Sequence, residues 1–260
     1  MLTVRLLAFA SLLLPLLGSG QTSRRTPVLV ELFTSEGCSS CPPADALLAR
    51  LDKEQPVSGA EIIVLGEHVD YWDGEGWHDR FSSAQFTNRQ KEYGTRFNLN
   101  EVYTPQMVVG GVRQFVGSDS GAARKAIEQA AEGGAIQLNF NGLKVDGRRV
   151  SGTVGFEGTV PAAKGDLFAA LVDPMQTTAV RNGENGGRTL HHAGVVRTLM
   201  RIGRLKQLAK GPVPFSIEGP GRVDGMRLVV FAQGDESGPI LGAVSRGMEG
   251  PGSAVGVAAL

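Results

Sequence analysis

Val28-Leu-Val-Glu-Leu-Phe33, followed after four intervening residues by Cys38-Ser-Ser-Cys41 and then by Pro42-Pro-Ala-Asp45, decides how the chain is read. A short apolar run of strand type leads into two cysteines, and beyond them Ala44, Leu47, Leu48 and Leu51 recur at helical spacing. Pro42 and Pro43 fall in the first helical turn, where a missing N–H costs least. A strand that delivers a thiol to the start of a helix sets its sulfur among unpaired N–H groups at the positive end of the helix dipole, and both favour thiolate. The thiolate attacks disulfides, and a second cysteine three residues on is close enough to resolve the mixed disulfide. Cys38 and Cys41, the only cysteines of the chain, thus read as a reaction centre. A static staple is the weaker reading, because so short a loop removes little unfolded-state entropy. A zinc site is weaker still, since structural zinc normally takes four ligands and there is no second Cys-x-x-Cys.

Working outward, short strand runs and helical runs alternate from Thr26, which predicts an α/β layer with parallel strands. The first helix is expected to end near Glu54, and Glu61 to Leu65 forms a second strand. A polar, aromatic loop spans Glu67 to Asp79, and helical spacing resumes from Phe81 to Phe97. Val102 to Val109 and Val112 to Val116 flank Gly110-Gly111 as a hairpin. Ser118 or Asp119 caps a last helix through Ala131, closed by Gly133-Gly134. From Ala135 the pattern turns to strands separated by glycine turns, at Ile136 to Phe140, Arg149 to Phe156, Asp166 to Val172 and Met226 to Ala232. This predicts an antiparallel β-sandwich. His192 to Lys210 reads as one basic helical interruption.

The 260 residues are 42% apolar, enough for a substantial core and two domains, and 26 acidic residues balance 26 basic ones. That balance argues against nucleic acid or an anionic membrane as partner. Residues 1–20, with Arg5, an apolar run from Leu6 to Leu17 and small residues at Gly18-Ser-Gly20, read as a secretory signal peptide. The run is shorter than the roughly 20 residues that span a bilayer, so membrane contact is expected only if this segment stays uncleaved. Export to a periplasm or beyond is the expected localisation, where a disulfide persists. The expected division is a signal peptide at 1–20, an α/β domain at 26–134, a β-sandwich-like domain at 135–250 and a frayed, glycine-rich tail at 251–260.

The β-α-β-α-β-β-α order, the Cys-x-x-Cys at the first helix and Tyr103-Thr104-Pro105 before the hairpin resemble the thioredoxin fold over residues 26 to 134. The resemblance implies a cis Pro105 facing the cysteines and a Thr104 backbone that receives an extended peptide. It also implies a first-strand acid six residues before the first cysteine, whereas Glu31 lies seven before Cys38. If Glu31 nevertheless points beneath the cysteines, burial would raise its pKa and let it relay a proton to or from Cys41. Glu31 to Asp45, His68-Val-Asp-Tyr-Trp-Asp73 and Gly183-Glu-Asn-Gly-Gly-Arg-Thr-Leu190 together resemble a narrower group, the bacterial secreted family of domain of unknown function 1223. That resemblance covers almost the whole mature chain and implies fold and export rather than a substrate.

Other features carry weaker signals. His68, Asp70 and His78 are irregularly spaced for a metal site, and no metal or other cofactor is expected. Tyr71, Trp72 and Trp77 read as packing for the loop, with a substrate-contacting wall beside the cysteines as the functional version. His191 and His192 fall on opposite faces if extended, so they are not expected to act together with Arg188 and Arg197 as an anion patch. Gly183 to Gly187 lacks the P-loop lysine and reads as a turn. Asp70 and Asp73 lack a glycosidase frame, and no serine has a nucleophile elbow. The expectation is therefore an exported thiol-disulfide oxidoreductase acting on a protein thiol or disulfide, with Cys38, Cys41 and Glu31 in the chemistry and Thr104, Pro105, Tyr71 and Trp72 at the substrate. The competing expectation is a non-catalytic module that holds a protein partner.

Overall fold

The computed structural model describes residues 24–159 and 163–248. The signal-peptide reading of residues 1–20 and the tail from Pro251 lie outside the described residues. The first half runs β1 (Thr26–Thr34), α1 (Pro42–Glu54), β2 (Ala60–His68), α2 (Ala84–Arg96), β3 (Gln106–Val109), β4 (Arg113–Val116) and α3 (Ser120–Glu132). The second half runs β5 (Gln137–Asp146), β6 (Arg149–Glu157), β7 (Gly165–Ala179), β8 (Thr189–Arg204), a 3-10 turn (Leu205–Lys210), β9 (Val213–Glu218), β10 (Arg227–Gly234) and β11 (Ile240–Gly247). The fold is mixed α/β, with a large mixed sheet and a second, antiparallel sheet.

β1 is buried on both faces, and its alternation sorts them. Val28, Val30 and Leu32 pack with Leu47, Leu48 and Leu51 of α1 and Ala123 and Ile127 of α3. Leu29 points the other way, into a cluster with Phe86 of α2, as does Phe33, which packs with Tyr93. α2 begins at Ala84 rather than at Phe81, with Ser83 as a cap that accepts from the Gln85 N–H, and at α3 it is Asp119 rather than Ser118 that caps, accepting from the Ala122 N–H.

The strands expected for a separate sandwich divide between two sheets. The large sheet has the order β11-β10-β7-β8-β2-β1-β3-β4, and β5-β6-β9 form the second sheet. The ranges 26–134 and 135–250 thus share one continuous sheet. Leu138, Phe140, Val150, Val154 and Phe215 of the small sheet share a core with Leu167, Leu171, Leu228 and Val230 of the large one. The stretch expected to be a basic helix, His192 to Lys210, is instead mostly strand. β8 pairs with β7 from Thr189↔Ala179 to Arg204↔Asp166, and helical backbone survives only as the short 3-10 turn. Backbone pairing along the long β7 hairpin outweighs the helical spacing of the basic residues.

The halves meet where β8 pairs in parallel with β2 at Gly66↔Val195, covering what would otherwise be an open sheet edge. Two glycines permit this approach. A Cβ on Gly66 would lie 2.9 Å from the Ala193 carbonyl oxygen, and one on Gly194 2.7 Å from Val64 Cγ2. Gly194 also has φ +64, a left-handed backbone that other residues adopt at a cost. Gly194→Ala is expected to destabilise the protein by about 2–4 kcal/mol, the sum of a strained backbone and an overpacked contact. Equilibrium denaturation checks this, and an unchanged midpoint would mean that the join carries no stability.

Candidate functional site: the Cys38–Cys41 disulfide and the buried centre beside it

Cys41 is the N-cap residue of α1, with the prolines at the first two helical positions. Its carbonyl accepts from the Ala44 and Asp45 N–H groups at 2.8 and 3.1 Å. Cys38 lies in the preceding turn, where its N–H donates to the Ser35 carbonyl and its own carbonyl accepts from Cys41 N–H. The two sulfurs form a disulfide, with the Cα atoms 5.4 Å apart. Both cysteines have 0% of their surface exposed.

The cover over Cys38 comes from the turn between β7 and β8. Asn185, itself fully buried, donates through its side-chain amide to the Glu36 and Cys38 carbonyls, each at 2.9 Å. Arg188 Nη1 donates to the Asn185 side-chain oxygen at 2.8 Å and fixes the amide orientation. The Glu184 carboxylate accepts from Ser39 N–H at 3.0 Å. The segment Gly183 to Gly187 is a turn, as its composition suggested, and it sits on the cysteine turn.

On the other side, the Thr104–Pro105 peptide bond is cis. Pro105 and Ala44, three residues after Cys41, converge on Gly117, where an added Cβ would lie 3.1 Å from each. Trp72 bridges the two segments: its indole N–H donates to Thr104 Oγ1 at 2.8 Å. Its Cβ would lie 3.1 Å from a Cβ on Gly37, so Gly37 admits it. Tyr71 donates to Gln90 Oε1 at 3.2 Å and stays partly exposed. Trp77 N–H instead donates to Glu36 Oε2 at 2.7 Å.

Glu31 does not point beneath the cysteines. Residue alternation turns it to the α2 face, where its carboxylate accepts from Arg89 Nε at 2.7 Å and Tyr93 Oη at 2.6 Å. The extra residue in the β1–α1 turn noted above does not redirect a side chain whose face is set by the strand. Glu67, two residues past Leu65, the partner of Glu31 in β2, joins the same cluster with its Oε1 3.5 Å from Arg89 Nε. Burial, only partly offset by Arg89, raises the Glu67 carboxyl well above its usual range. A groove of about 1220 Å³ opens over this face, lined by Arg89, Arg96, Phe168 and Arg204 among others.

The acid on the cysteine side is Asp45, one helical turn after Cys41. It accepts from Thr34 Oγ1 at 3.0 Å, and its other oxygen lies 3.4 Å from His192 Nδ1. The opposite nitrogen of His192 is 3.7 Å from Glu36 Oε1. His68 stands edge-on to His192 with ring centroids 4.8 Å apart, and its Nδ1 is 2.6 Å from Asp79. Burial opposes the charged His68 imidazole, but Asp79, then Asp45 and Glu36, outweigh it and raise its pKa. Burial likewise works against the Asp79 carboxylate. His68 and the N–H donors of Glu36 and Phe81 prevail and hold it at about 2.

Neither Asp45 nor His192 was expected in the site: the place of Asp45 four residues after Cys41 is the signal that could have found it, whereas His192 was hidden because its strand was read as helix. His191 does diverge from it, and its ring lies exposed beside Thr177 Oγ1. His68, Asp70 and His78 do not converge: Asp70 accepts from Thr87 Oγ1, and exposed His78 pairs with Asp73. Among the described residues no group of three or more His, Cys, Asp or Glu side chains has metal-holding geometry, and no helix is long and apolar enough to cross a membrane.

Two solved structures share this architecture. A crystal structure of a protein from Agrobacterium tumefaciens is 24% identical, with a TM-score of 0.64 over 90% of this chain and 98% of that one. HBP35 of Porphyromonas gingivalis is 14% identical, with a TM-score of 0.54 over 91% of this chain and 80% of that one. At such identities the likeness is one of fold. No curated protein matches the chain. A family model described as a protein of unknown function, DUF1223, matches residues 29–233. That span takes in the cysteine pair, the covering turn and His192, and the chain belongs to the DUF1223 family.

Proposed function

We propose that this protein is an exported thiol-disulfide oxidoreductase whose first half is a thioredoxin-like unit, acting on extracytoplasmic protein thiols or disulfides. The observation that carries the reading is the Cys38–Cys41 disulfide at the N-cap of α1, with Pro105 meeting Ala44 of the same helix across Gly117. In the reducing direction the Cys38 thiolate attacks a substrate disulfide and one substrate thiolate leaves. Cys41 then loses its proton and attacks Cys38 Sγ, the mixed disulfide breaks, and the second substrate thiolate leaves. Two protein thiols become one disulfide as one substrate disulfide becomes two thiols. The reverse sequence oxidises a dithiol. Thr104 and Pro105 would position the substrate backbone, with Trp72 as the wall that anchors Thr104. Export is part of the proposal, supported by the composition of residues 1–20 and by a disulfide of the kind that persists outside the cytosol.

The burial of Cys38 favours a second reading, a binding module in which the pair is inert and the scaffold holds a protein partner. Cys38→Ser separates the two. Under the first reading the variant keeps its fold and loses essentially all turnover of a glutathionylated peptide or a scrambled-disulfide protein. A wild-type protein that shows no exchange above the Cys38→Ser background would leave the module as the reading.

A further inference from the structure

The second half of the chain contributes more than cover to the disulfide. Glu36 Oε1, Asp45 Oδ2, His68 Nε2 and both ring nitrogens of His192 are buried and have no hydrogen-bond partner among the described residues. Buried polar atoms are nearly always paired, so five orphans from four neighbouring side chains mark a centre built for something other than packing. Asp45 and Glu36 flank opposite nitrogens of one imidazole at 3.4 and 3.7 Å, so that a proton on His192 would face a carboxylate on either side. Asp45 lies four residues after Cys41, the N-cap residue whose own backbone dihedrals are helical, which turns both side chains toward one face of α1. Cys41 is fully buried, so the proton it must lose before attacking Cys38 has no direct route to solvent.

Resting on the exchange reading above, we propose that Asp45, His192 and Glu36 form the buried proton relay of the reaction. In the resolving step the Cys41 S–H proton passes to the Asp45 carboxylate, the Cys41 thiolate attacks Cys38 Sγ, and the substrate sulfur leaves with the electron pair of the broken S–S bond. His192, set between the two carboxylates, holds Asp45 in place. The proton returns to Cys41 when the disulfide is next reduced. The charged and titratable groups around His192 come from every packed element: Glu36 from the β1–α1 turn, Asp45 from α1, His68 from β2, and Asp79 through His68. Arg80 and Arg197 sit over the Phe81 ring that also packs on His192.

The test is the titration of Cys41 in reduced Cys38→Ser protein, read by ultraviolet thiolate absorbance because that signal needs no access to the buried sulfur. Adding His192→Gln takes away the imidazole that separates the two carboxylates and should raise the Cys41 midpoint by about one pH unit or more, whereas Asp45→Asn takes away a carboxylate and should lower it. Shifts of opposite sign support the relay. Two shifts of the same sign, or none, overturn it, since generic loosening of the core would move both variants alike. Kinetics with oxidised glutathione provide the second readout. In the otherwise wild-type chain, His192→Gln should accumulate the Cys38–glutathione mixed disulfide, with resolution slowed about ten-fold or more near neutral pH and recovering as the pH passes the Cys41 midpoint. Unchanged resolution at every pH overturns the relay. A wild-type protein that forms no mixed disulfide, yet shows the opposed Cys41 shifts, would sink the exchange reading and leave the coupling of Cys41 to this centre standing.

Discussion

Asn185→Ala is expected to speed the reduction of the Cys38–Cys41 disulfide by a small dithiol about 10- to 100-fold, with the fold intact. Cys38 has no exposed surface, so a nucleophile reaches it only when the turn from Gly183 to Gly187 lifts. The Asn185 amide holds that turn down through two hydrogen bonds to the Glu36 and Cys38 carbonyls. Each such bond contributes about 0.5–1.5 kcal/mol net. Removing both eases opening by about 1–3 kcal/mol, and every 1.4 kcal/mol is a factor of ten in the open population. The exposed carbonyls regain water only in the open state, which adds to the bias. Stopped-flow reduction of wild type and variant measures the effect, with thermal melts as the control. Equal rates would mean that dithiol reaches the sulfur by another route and that the turn is not a gate.

Arg89→Met is expected to cost about 3–5 kcal/mol of stability near neutral pH. Arg89 is buried on α2 and contacts Glu31 and Glu67 from the first half. Its guanidinium also lies 5.7 Å from the Phe168 ring and 5.4 Å from the Phe231 ring of the second half. Gln233 of β10 completes the clasp by donating to Tyr93 Oη at 2.9 Å. Methionine keeps the stem's volume but strands the Glu31 carboxylate in an apolar core. The loss should shrink in the Glu31→Gln, Arg89→Met double variant, since the remaining acid, Glu67, is already pushed toward its neutral form. Urea denaturation of the single and double variants tests this, and an equal loss in both would assign the cost to packing alone.

How far each feature could be read in advance followed from the range of the interactions that produce it. The strand from Val28, the helix after Cys41, the Gly110-Gly111 hairpin and the Asp119 cap rest on periodicity, proline and glycine placement and capping, all resolved within a few residues of chain. The closeness of Cys38 and Cys41 is likewise local, because three residues at a helix start bring the sulfurs together whatever surrounds them. Local pattern misled at His192 to Lys210, whose basic residues recur at helical spacing. Pairing with β7 made it strand, and only that pairing turns His192 inward while His191 faces solvent. Glu31 is the converse case: its position before the cysteines suggested a role beneath them, but strand alternation and the arrival of α2 gave its carboxylate to Arg89. Alone, the sequence determined a strand-to-helix element carrying a disulfide-forming pair, and an α/β half followed by a β-rich half. Tertiary structure decided that these halves share one sheet, that a turn 145 residues away closes over Ser39, and that Asp45, Glu36, His68 and His192 meet in one buried centre. Their meeting depends on how strands distant in sequence pair and which faces they bury, and no local preference of the chain encodes that.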